Sequence, residues 1–411
     1  MGIKDGAFKS LASPENVLML SGVVAAMHLG KVSPALSTLQ ASWGFTAVQA
    51  GFLLSLMQLA GAGIGVFMGM LSDRIGARTS IITGQALLFL ASALALLVEQ
   101  PPSLLGLRML ESCGLLMVVL PTPGLLRSLV SPSRMSFRLG LWGCYVALGT
   151  ALALALGPLA IEHLGWQGWW LVPALASLCC VVAVALKVPP HRPRPEETIA
   201  GPAPSPWRDQ LRVVLGTKGP WCVGIAFAMY AGQWMAIIGF LPTIYVDAGM
   251  SPRSAGLLTT LACLANIAGN VAAAALIHRG TDKRVLLMLG YLWMLAMTAA
   301  AFAPATSDAP GLRYLAIVLF SAVGGLIPAT LFILAVESAP DDTATAATVG
   351  WVQQLTAMGM LLMPPALARI AQLAGGWHLT WIATGVAAML GLALSASTAR
   401  QLASRKRLRV Q

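Results

Sequence analysis

Long runs of apolar residues, separated by short polar segments, dominate the hydropathy pattern of this chain. Each run covers about 20 residues, the length that an α-helix needs to cross the hydrocarbon core of a bilayer. The runs show no alternation of apolar and polar positions, so they are predicted to be helices rather than strands of a barrel. Twelve runs are present, at about 17–39, 49–71, 79–99, 102–126, 139–161, 168–187, 219–242, 254–277, 285–304, 312–336, 344–368 and 377–399. The pattern therefore predicts an all-α membrane protein with twelve transmembrane helices.

The composition supports this prediction and argues against several other classes of protein. Hydrophobic residues make up 57% and charged residues 10% of the 411 residues, and the mean hydropathy is +0.77. A soluble protein carries about 25% charged residues, so lipid is expected to cover most of the surface. The six cysteines lie within predicted helices and show no C-x-x-C spacing, which argues against a metal site. Because ATP-binding, hydrolase and zinc-protease motifs are also missing from the sequence, we expect neither an enzyme nor a cofactor.

The net charge of +11 is compatible with a nucleic-acid-binding protein, but the placement of the basic residues gives a better explanation. If the N-terminus is cytoplasmic, 21 of the 26 lysines and arginines fall in cytoplasmic segments, as the positive-inside rule requires. One cytoplasmic loop differs, because it carries Glu337, Asp341 and Asp342 and no basic residue. We expect no nucleic-acid partner, and a multi-pass protein of a bacterial-type inner membrane with both termini in the cytoplasm.

The chain contains an internal repeat with an offset of 205 residues. This offset places TAVQAGFLLSL (46–56) on SPRSAGLLTTL (251–261) and aligns Arg74 with Arg279. Between the sixth and seventh helices lies a segment rich in proline and charge, VPPHRPRPEETIAGPAPSPWRDQ (188–210). Parallel repeats are typical of transporters that rock one half against the other around a central site. We expect an N-terminal six-helix bundle over 1–187, a cytoplasmic linker over 188–218, and a C-terminal six-helix bundle with a basic cytoplasmic tail over 219–411.

The predicted loop between the second and third helices, GMLSDRIGAR (69–78), concentrates charge in a chain that has little of it. Its pattern matches G-x-L-x-D-R-x-G-R/K-R/K, and in this respect the chain resembles the major facilitator superfamily. The matching residues are Gly69, Leu71, Asp73, Arg74, Gly76 and Arg78. The glycines permit a close helix approach and a tight turn, and the charged groups suit pairing across the two halves. We interpret the loop as a latch that closes one face of the protein. The alternative is a loop that only obeys the positive-inside rule, which explains the arginines but not the glycines and the acid.

Further segments extend this resemblance over nearly the whole chain. RMLESCG (108–114) and GTALALALGP (149–158) resemble superfamily motifs of the fourth and fifth helices. KVSPALSTLQASWGFTAVQAGFLLSL (31–56) and GFLPTIYVDAGMSPRSAGLL (239–258) are similar to the cyanate-porter branch, which tends to have arginine where this chain has Lys31. The resemblance implies the major facilitator fold and secondary transport, with the first, fourth, seventh and tenth helices lining the cavity.

Four ionisable residues lie deep in the predicted first and fourth helices. His28 and Lys31 are three residues apart, as are Arg108 and Glu111, so each pair shares a helix face. Such groups are costly inside a membrane unless they are paired or face a wet cavity. We interpret His28, Lys31 and Arg108 as substrate-binding residues and Glu111 as the proton-coupling residue. The alternatives are a structural Arg108–Glu111 pair, a packed neutral His28, and a Lys31 that extends to the outer interface.

Lys31 carries the argument about the substrate. No acid lies within one turn of it on the first helix, and Arg108 competes for Glu111, so we expect Lys31 to be free to meet a negative charge. Two cations against one carboxylate leave this region net positive, which favours a small anion.

Neutral polar residues in other predicted helices are further candidates for substrate contacts. They are Tyr145, Tyr230, Gln233, Trp234 and Gln353, and the three residues of the seventh helix are spaced i, i+3, i+4. The same residue types also join transmembrane helices to each other, so both interpretations stay open.

Together these observations predict a monomeric, proton-coupled secondary transporter that moves a small anion across the membrane by alternating access. The small-molecule substrate, the proton and the lipid bilayer are its expected partners. The alternative is a proton-coupled efflux pump for drugs or metabolites in the same superfamily. The loss of the glycines that normally follow GTALALALGP argues against this alternative.

Overall fold

The computed structural model describes residues 13–131, 138, 141–190, 207–340 and 344–410. In the first half of the chain its α-helices are α1 Pro14–Gly30, α2 Val32–Trp43, α3 Ala47–Ser55, α4 Leu59–Ile75, α5 Ala77–Leu94, α6 Pro101–Val119, α7 Thr122–Leu129 and α8 Tyr145–Lys187. In the second half they are α9 Trp207–Leu215, α10 Lys218–Asp247, α11 Pro252–His278, α12 Lys283–Phe302, α13 Pro310–Gly324, α14 Leu326–Glu337, α15 Thr345–Ala374 and α16 Thr380–Val410. Short 3₁₀ turns continue some of them, as at Leu56–Gln58 between α3 and α4.

Eleven helical stretches of the described residues are long and apolar enough to cross a membrane. One of them, α8, has 43 residues and is interrupted at Gly165, whose φ of 70° and ψ of 176° are not helical. A straight helix of this length would span about 65 Å, twice the hydrocarbon thickness of about 30 Å. Because α8 supplies two crossings, the twelve predicted spans are accounted for and the all-α membrane fold is confirmed.

In two crossings the α-helix is interrupted three residues before a proline. The first crossing breaks between α1 and α2 at Lys31, before Pro34, and another breaks between α13 and α14 at Gly325, before Pro328. Proline has no N–H and its ring clashes with the carbonyl four residues earlier. The break therefore releases backbone carbonyls of the preceding turn, which need other hydrogen-bond donors.

The helices form two compact units. The first contains the ranges Met1–Thr46, Leu59–Ile199 and Leu241–Thr260, and the second contains Ala47–Gln58, Ala200–Phe240 and Leu261–Gln411. Each unit thus includes a short segment from the other half of the sequence. The division predicted at 188–218 is not tested by this grouping and stays a prediction, and residues 191–206 of that linker lie outside the described part.

Each of these two short segments, Ala47–Gln58 in the second unit and Leu241–Thr260 in the first, packs through a glycine. The two glycines are 205 positions apart, which is the offset of the sequence repeat. In the second unit, a methyl group on Gly51 would lie 2.7 Å from the backbone nitrogen of Pro365. In the first unit, a methyl group on Gly256 would lie 2.7 Å from the carbonyl oxygen of Leu154. The repeated glycine therefore permits a close helix crossing in both units.

A third close crossing lies between α5 and α6 in the first unit. A methyl group on Gly84 would lie 2.6 Å from the Gly114 carbonyl oxygen, and one on Gly114 would lie 2.8 Å from the Gly84 carbonyl oxygen. The contact of these backbones brings polar side chains of α5 close to those of α6.

Candidate functional site

A buried ionic cluster around Glu111 occupies the interior of the first unit. Lys31, Arg108 and Glu111 are each no more than 1% exposed. Glu111 Oε1 accepts hydrogen bonds from Lys31 Nζ at 2.5 Å and from Ser92 Oγ at 2.6 Å, and Glu111 Oε2 accepts one from Arg108 Nη1 at 2.5 Å. With His28 neutral, the two cations and the one carboxylate among the described residues of the cluster give a net charge of +1.

The break in the first crossing helps to place these side chains. The carbonyl of His28 accepts a hydrogen bond from Arg108 Nη1 at 2.8 Å, and the carbonyl of Lys31 accepts one from Trp169 Nε1 at 2.8 Å. The His28 carbonyl lies in the last turn of α1, where carbonyls lack a partner inside the helix. Backbone carbonyls at the interruption thus hold Arg108 and the α8 tryptophan against the first crossing.

His28 connects the cluster to α8 with its two ring nitrogens in different surroundings. Its Nε2 lies 3.1 Å from the carbonyl oxygen of Pro173 and 2.9 Å from Ser177 Oγ. Its Nδ1 lies 3.3 Å from Lys31 Nζ and 3.1 Å from Ser92 Oγ. A carbonyl oxygen can only accept a hydrogen bond, so we assign the proton of the neutral ring to Nε2.

The structure corrects the expectation that Lys31 is free. That expectation was wrong because Glu111 has two oxygens, and Arg108 and Lys31 bind different ones. Lys31 also does not extend to an interface, since it is 0% exposed. Its ammonium lies 5.0 Å from the ring centroid of Trp170, a distance at which the face of the ring attracts a cation.

The sequence alone did not single out Ser92, Trp170 or Ser177 as members of this cluster. A serine within an apolar run was the one available signal for Ser92 and Ser177. Such serines are common in transmembrane helices, where they usually bond to their own backbone. Trp170 lies in a tryptophan-rich stretch at the start of a span, which is typical of membrane interfaces.

The neutral candidates are only partly brought together. In the second unit, Asn266 Nδ2 donates to Tyr230 Oη at 2.9 Å and to the Ser321 carbonyl at 3.0 Å, while Trp234 Nε1 donates to Ser321 Oγ at 3.0 Å. Gln233 is 0% exposed and neither of its amide atoms has a hydrogen-bond partner among the described residues. Tyr230 and Trp234 therefore share one network, and Gln233 stands outside it.

The two remaining neutral candidates belong to different units. Tyr145 stacks on Trp142 in the first unit, with ring centroids 4.6 Å apart. Gln353 is exposed on α15. Their roles as substrate contacts stay predictions.

The loop at 69–78 shows a tight turn and one new contact. Gly76 has a φ of 85° and a ψ of 142°, values that a side chain would strain. Arg78 Nη2 donates to the Ala185 carbonyl at the end of α8 at 2.6 Å, and Arg74 is exposed. The side chain of Asp73 and the surroundings of Gly69 lie outside the described part, so pairing across the halves stays a prediction.

The acidic loop that departs from the positive-inside rule has a partial explanation. Glu337 forms an ion pair with Lys283 at the start of α12, so this acid neutralises a neighbouring base. Asp341 and Asp342 lie outside the described residues. The orientation of the chain in the membrane is not tested and stays a prediction.

Comparison with known families gives one match that covers most of the chain. The model of the Major Facilitator Superfamily matches residues 18–349 and 223–408. A solved structure described as a D-xylose-proton symporter covers 94% of this chain and 96% of its own, with a TM-score of 0.73 and 15% identity. At that identity the structural likeness shows the fold alone.

Two relatives from Escherichia coli (strain K12) are similar in sequence. A cyanate transport protein is 25% identical over 292 residues, which covers 68% of this chain and 72% of the relative. A 2-nitroimidazole transporter is 25% identical over 397 residues, which covers 93% of this chain and 95% of the relative.

Proposed function

The chain belongs to the major facilitator superfamily and is a secondary transporter, and we propose that it carries a small anion across the inner membrane together with a proton. The observation that carries this proposal is the buried cluster in which Glu111 binds both Lys31 and Arg108. The cluster has one cation more than it has anions, and a charge in such a place favours an anionic partner.

The cluster links proton binding to anion binding through its charge. A proton on Glu111 raises the net charge from +1 to +2 and breaks the ionic part of both pairs. An anion about 6 Å away would then gain about 3 kcal/mol of attraction from the added charge, at an effective dielectric constant of about 20. This gain corresponds to a roughly hundredfold increase in anion affinity. By thermodynamic reciprocity, the bound anion favours the protonated carboxyl by the same factor.

One relative favours the same class of substrate. The cyanate transport protein is named for a small anion, and the segments that resemble its branch include the one that begins at Lys31. Glu111 is the carboxylate that touches both cations, so it is the group whose protonation changes the cluster most. We assign the proton-coupling role to Glu111 and the anion-attracting role to Lys31 and Arg108.

The test is transport by purified protein in liposomes, with cyanate and other small anions as probes. Glu111→Gln should abolish accumulation driven by a pH gradient and should leave exchange of labelled for unlabelled solute across the membrane. Glu99→Gln, the same change on an exposed carboxylate, is the control and should keep both activities. Accumulation that is unchanged in Glu111→Gln would rule out Glu111 as the proton carrier.

A second candidate function is export of a neutral or cationic drug-like solute. The observation that favours it is the relative matched over nearly the full chain, which is named for 2-nitroimidazole, an aromatic solute with no net charge in its neutral form. Wild-type liposomes that move 2-nitroimidazole or a lipophilic cation against its gradient, and none of the small anions, would replace the anion proposal with this one.

A further inference from the structure

Ser92 on α5 stands between the two groups of the cluster that can exchange a proton. Its hydroxyl lies 2.6 Å from Glu111 Oε1 and 3.1 Å from His28 Nδ1, and it accepts a hydrogen bond from Lys31 Nζ at 2.6 Å. The side chain is 0% exposed. A hydroxyl has one rotatable proton and two lone pairs, so Ser92 can donate to either neighbour while Lys31 remains bound.

The orientation of His28 places Nδ1, the ring nitrogen that can accept a proton, on the side of Ser92 and Lys31. Nε2 donates to the Pro173 carbonyl, so the lone pair of the neutral ring is on Nδ1, which faces Ser92 Oγ and accepts a hydrogen bond from Lys31 Nζ at 3.3 Å. The direct distance from Nδ1 to Glu111 Oε1 is 3.7 Å, too long for a hydrogen bond. A proton that moves between the two groups therefore needs an intermediary.

The other groups around this pair come from each helix packed against it. Lys31 belongs to the same turn as His28, Arg108 belongs to α6 with Glu111, and α8 contributes the ring of Trp170, the Pro173 carbonyl and the Ser177 hydroxyl. Within the described residues, Glu111 is the acid of this cluster and His28 is its neutral base.

We infer that Glu111 and His28 share the transported proton and that Ser92 relays it between them. The inference rests on the proposed proton coupling. In the step, the Glu111 carboxyl gives its proton to Ser92 Oγ, and the Ser92 hydroxyl gives its own proton to His28 Nδ1. The products are a carboxylate, an unchanged serine and an imidazolium, so no other reactant is needed.

The relay has an electrostatic consequence that a single carboxyl site lacks. While the proton sits on Glu111, Lys31 and Arg108 lose their counter-charge. Once the proton moves to His28, the carboxylate again binds both cations, and the imidazolium stands 3.7 Å from the same carboxylate. The total charge of the cluster is +2 in both forms, but the second form keeps its ion pairs. His28 thus stores the proton while both ion pairs of Glu111 are kept, although the hydrogen bond from Lys31 Nζ to Nδ1 is lost.

The first test needs no substrate. We would label histidine with ¹⁵N, reconstitute the protein in liposomes, assign His28 with a His28→Asn variant, and follow both ring nitrogens and the infrared carboxyl band during acidification. Wild-type His28 should carry its proton on Nε2 at alkaline pH and gain a second on Nδ1 while the carboxylate band persists. After a rapid drop in pH, Ser92→Ala should show a transient protonated-carboxyl band and should protonate Nδ1 at least tenfold more slowly than the wild type, because removal of a relay slows the transfer. Ser21→Ala, in which a buried serine that bonds to the Val17 carbonyl is replaced, should behave as the wild type.

The second test is transport. Ser92→Ala should reduce accumulation driven by a pH gradient at least tenfold and leave solute exchange within twofold of the wild type, and Ser92→Thr should retain accumulation because it keeps a hydroxyl. Equal losses of accumulation and exchange would indicate a structural role and overturn the relay.

Two further outcomes separate this inference from the proposed function. A proton on Nδ1 of wild-type His28 at alkaline pH would overturn the relay without any variant, so the result does not depend on how well Ser92→Ala folds. Wild-type protein that titrates as described but moves no proton with any anion would instead overturn the proposed coupling.

Discussion

The charge balance of the Glu111 cluster makes a prediction about stability that can be worked out from the structure. Glu111→Gln removes the carboxylate that, among the described residues, binds both Lys31 and Arg108, and it leaves these two buried cations together. Removal of one partner from a buried ion pair costs about 3–5 kcal/mol. We expect Glu111→Gln to lower the free energy of unfolding by this amount.

A second substitution should recover most of that loss. Lys31 and Arg108 each have a nitrogen 2.5 Å from a different oxygen of Glu111, so the two nitrogens lie within about 7 Å of each other. Their repulsion without the carboxylate is then at least about 2 kcal/mol at an effective dielectric constant of about 20. Lys31→Met in the Glu111→Gln background removes this repulsion. The double variant should therefore be more stable than Glu111→Gln by about 2–3 kcal/mol, and Lys31→Met alone should be the mildest of the three.

The assay is thermal unfolding of the purified variants in one detergent, with the double-mutant cycle giving the coupling between the two positions. The control is the cycle of Lys283→Met and Glu337→Gln. This ion pair is 25% and 42% exposed at its two side chains, and its coupling should stay below about 1 kcal/mol. A double variant no more stable than Glu111→Gln would show that charge balance does not determine the stability of the cluster.

Three other predictions concern transport and packing. Lys31→Ala should abolish binding of a small anion and Lys31→Arg should retain part of it, measured by thermal shift with cyanate. Equal transport of a neutral or cationic solute by Lys31→Ala would favour the efflux alternative. Asp73→Asn should abolish most transport while the protein still folds and reaches the membrane, because the latch needs the negative charge. Normal uptake by this variant would show that the loop only sets the orientation of the chain in the membrane. Gly114→Ala should lower the melting temperature because its methyl group would lie 2.8 Å from a backbone oxygen, whereas Gly106→Ala on the same helix, with nothing within 4 Å, should leave it unchanged or raise it.

The local features of the protein could be derived from the sequence, because they depend on neighbouring residues. The length and hydropathy of the runs determine the membrane crossings, and Gly76 marks a turn that needs a positive φ. The pairs His28–Lys31 and Arg108–Glu111 follow from the helical period, since residues three apart share a face, and both contacts are present.

The contact between the two pairs, and the serines and tryptophan that join them, depend on tertiary structure. Lys31 and Glu111 are 80 residues apart and Lys31 and Ser92 are 61 apart, and the helical period places no constraint on contacts between different helices. The hydrophobic pattern is also nearly uniform around these spans, because lipid and protein interior are both apolar. It does not indicate which face of α1 meets α5, α6 or α8. Packing of those helices decided that Lys31 pairs with Glu111 instead of remaining free, because a carboxylate has two oxygens and a folded bundle can bring a different cation to each.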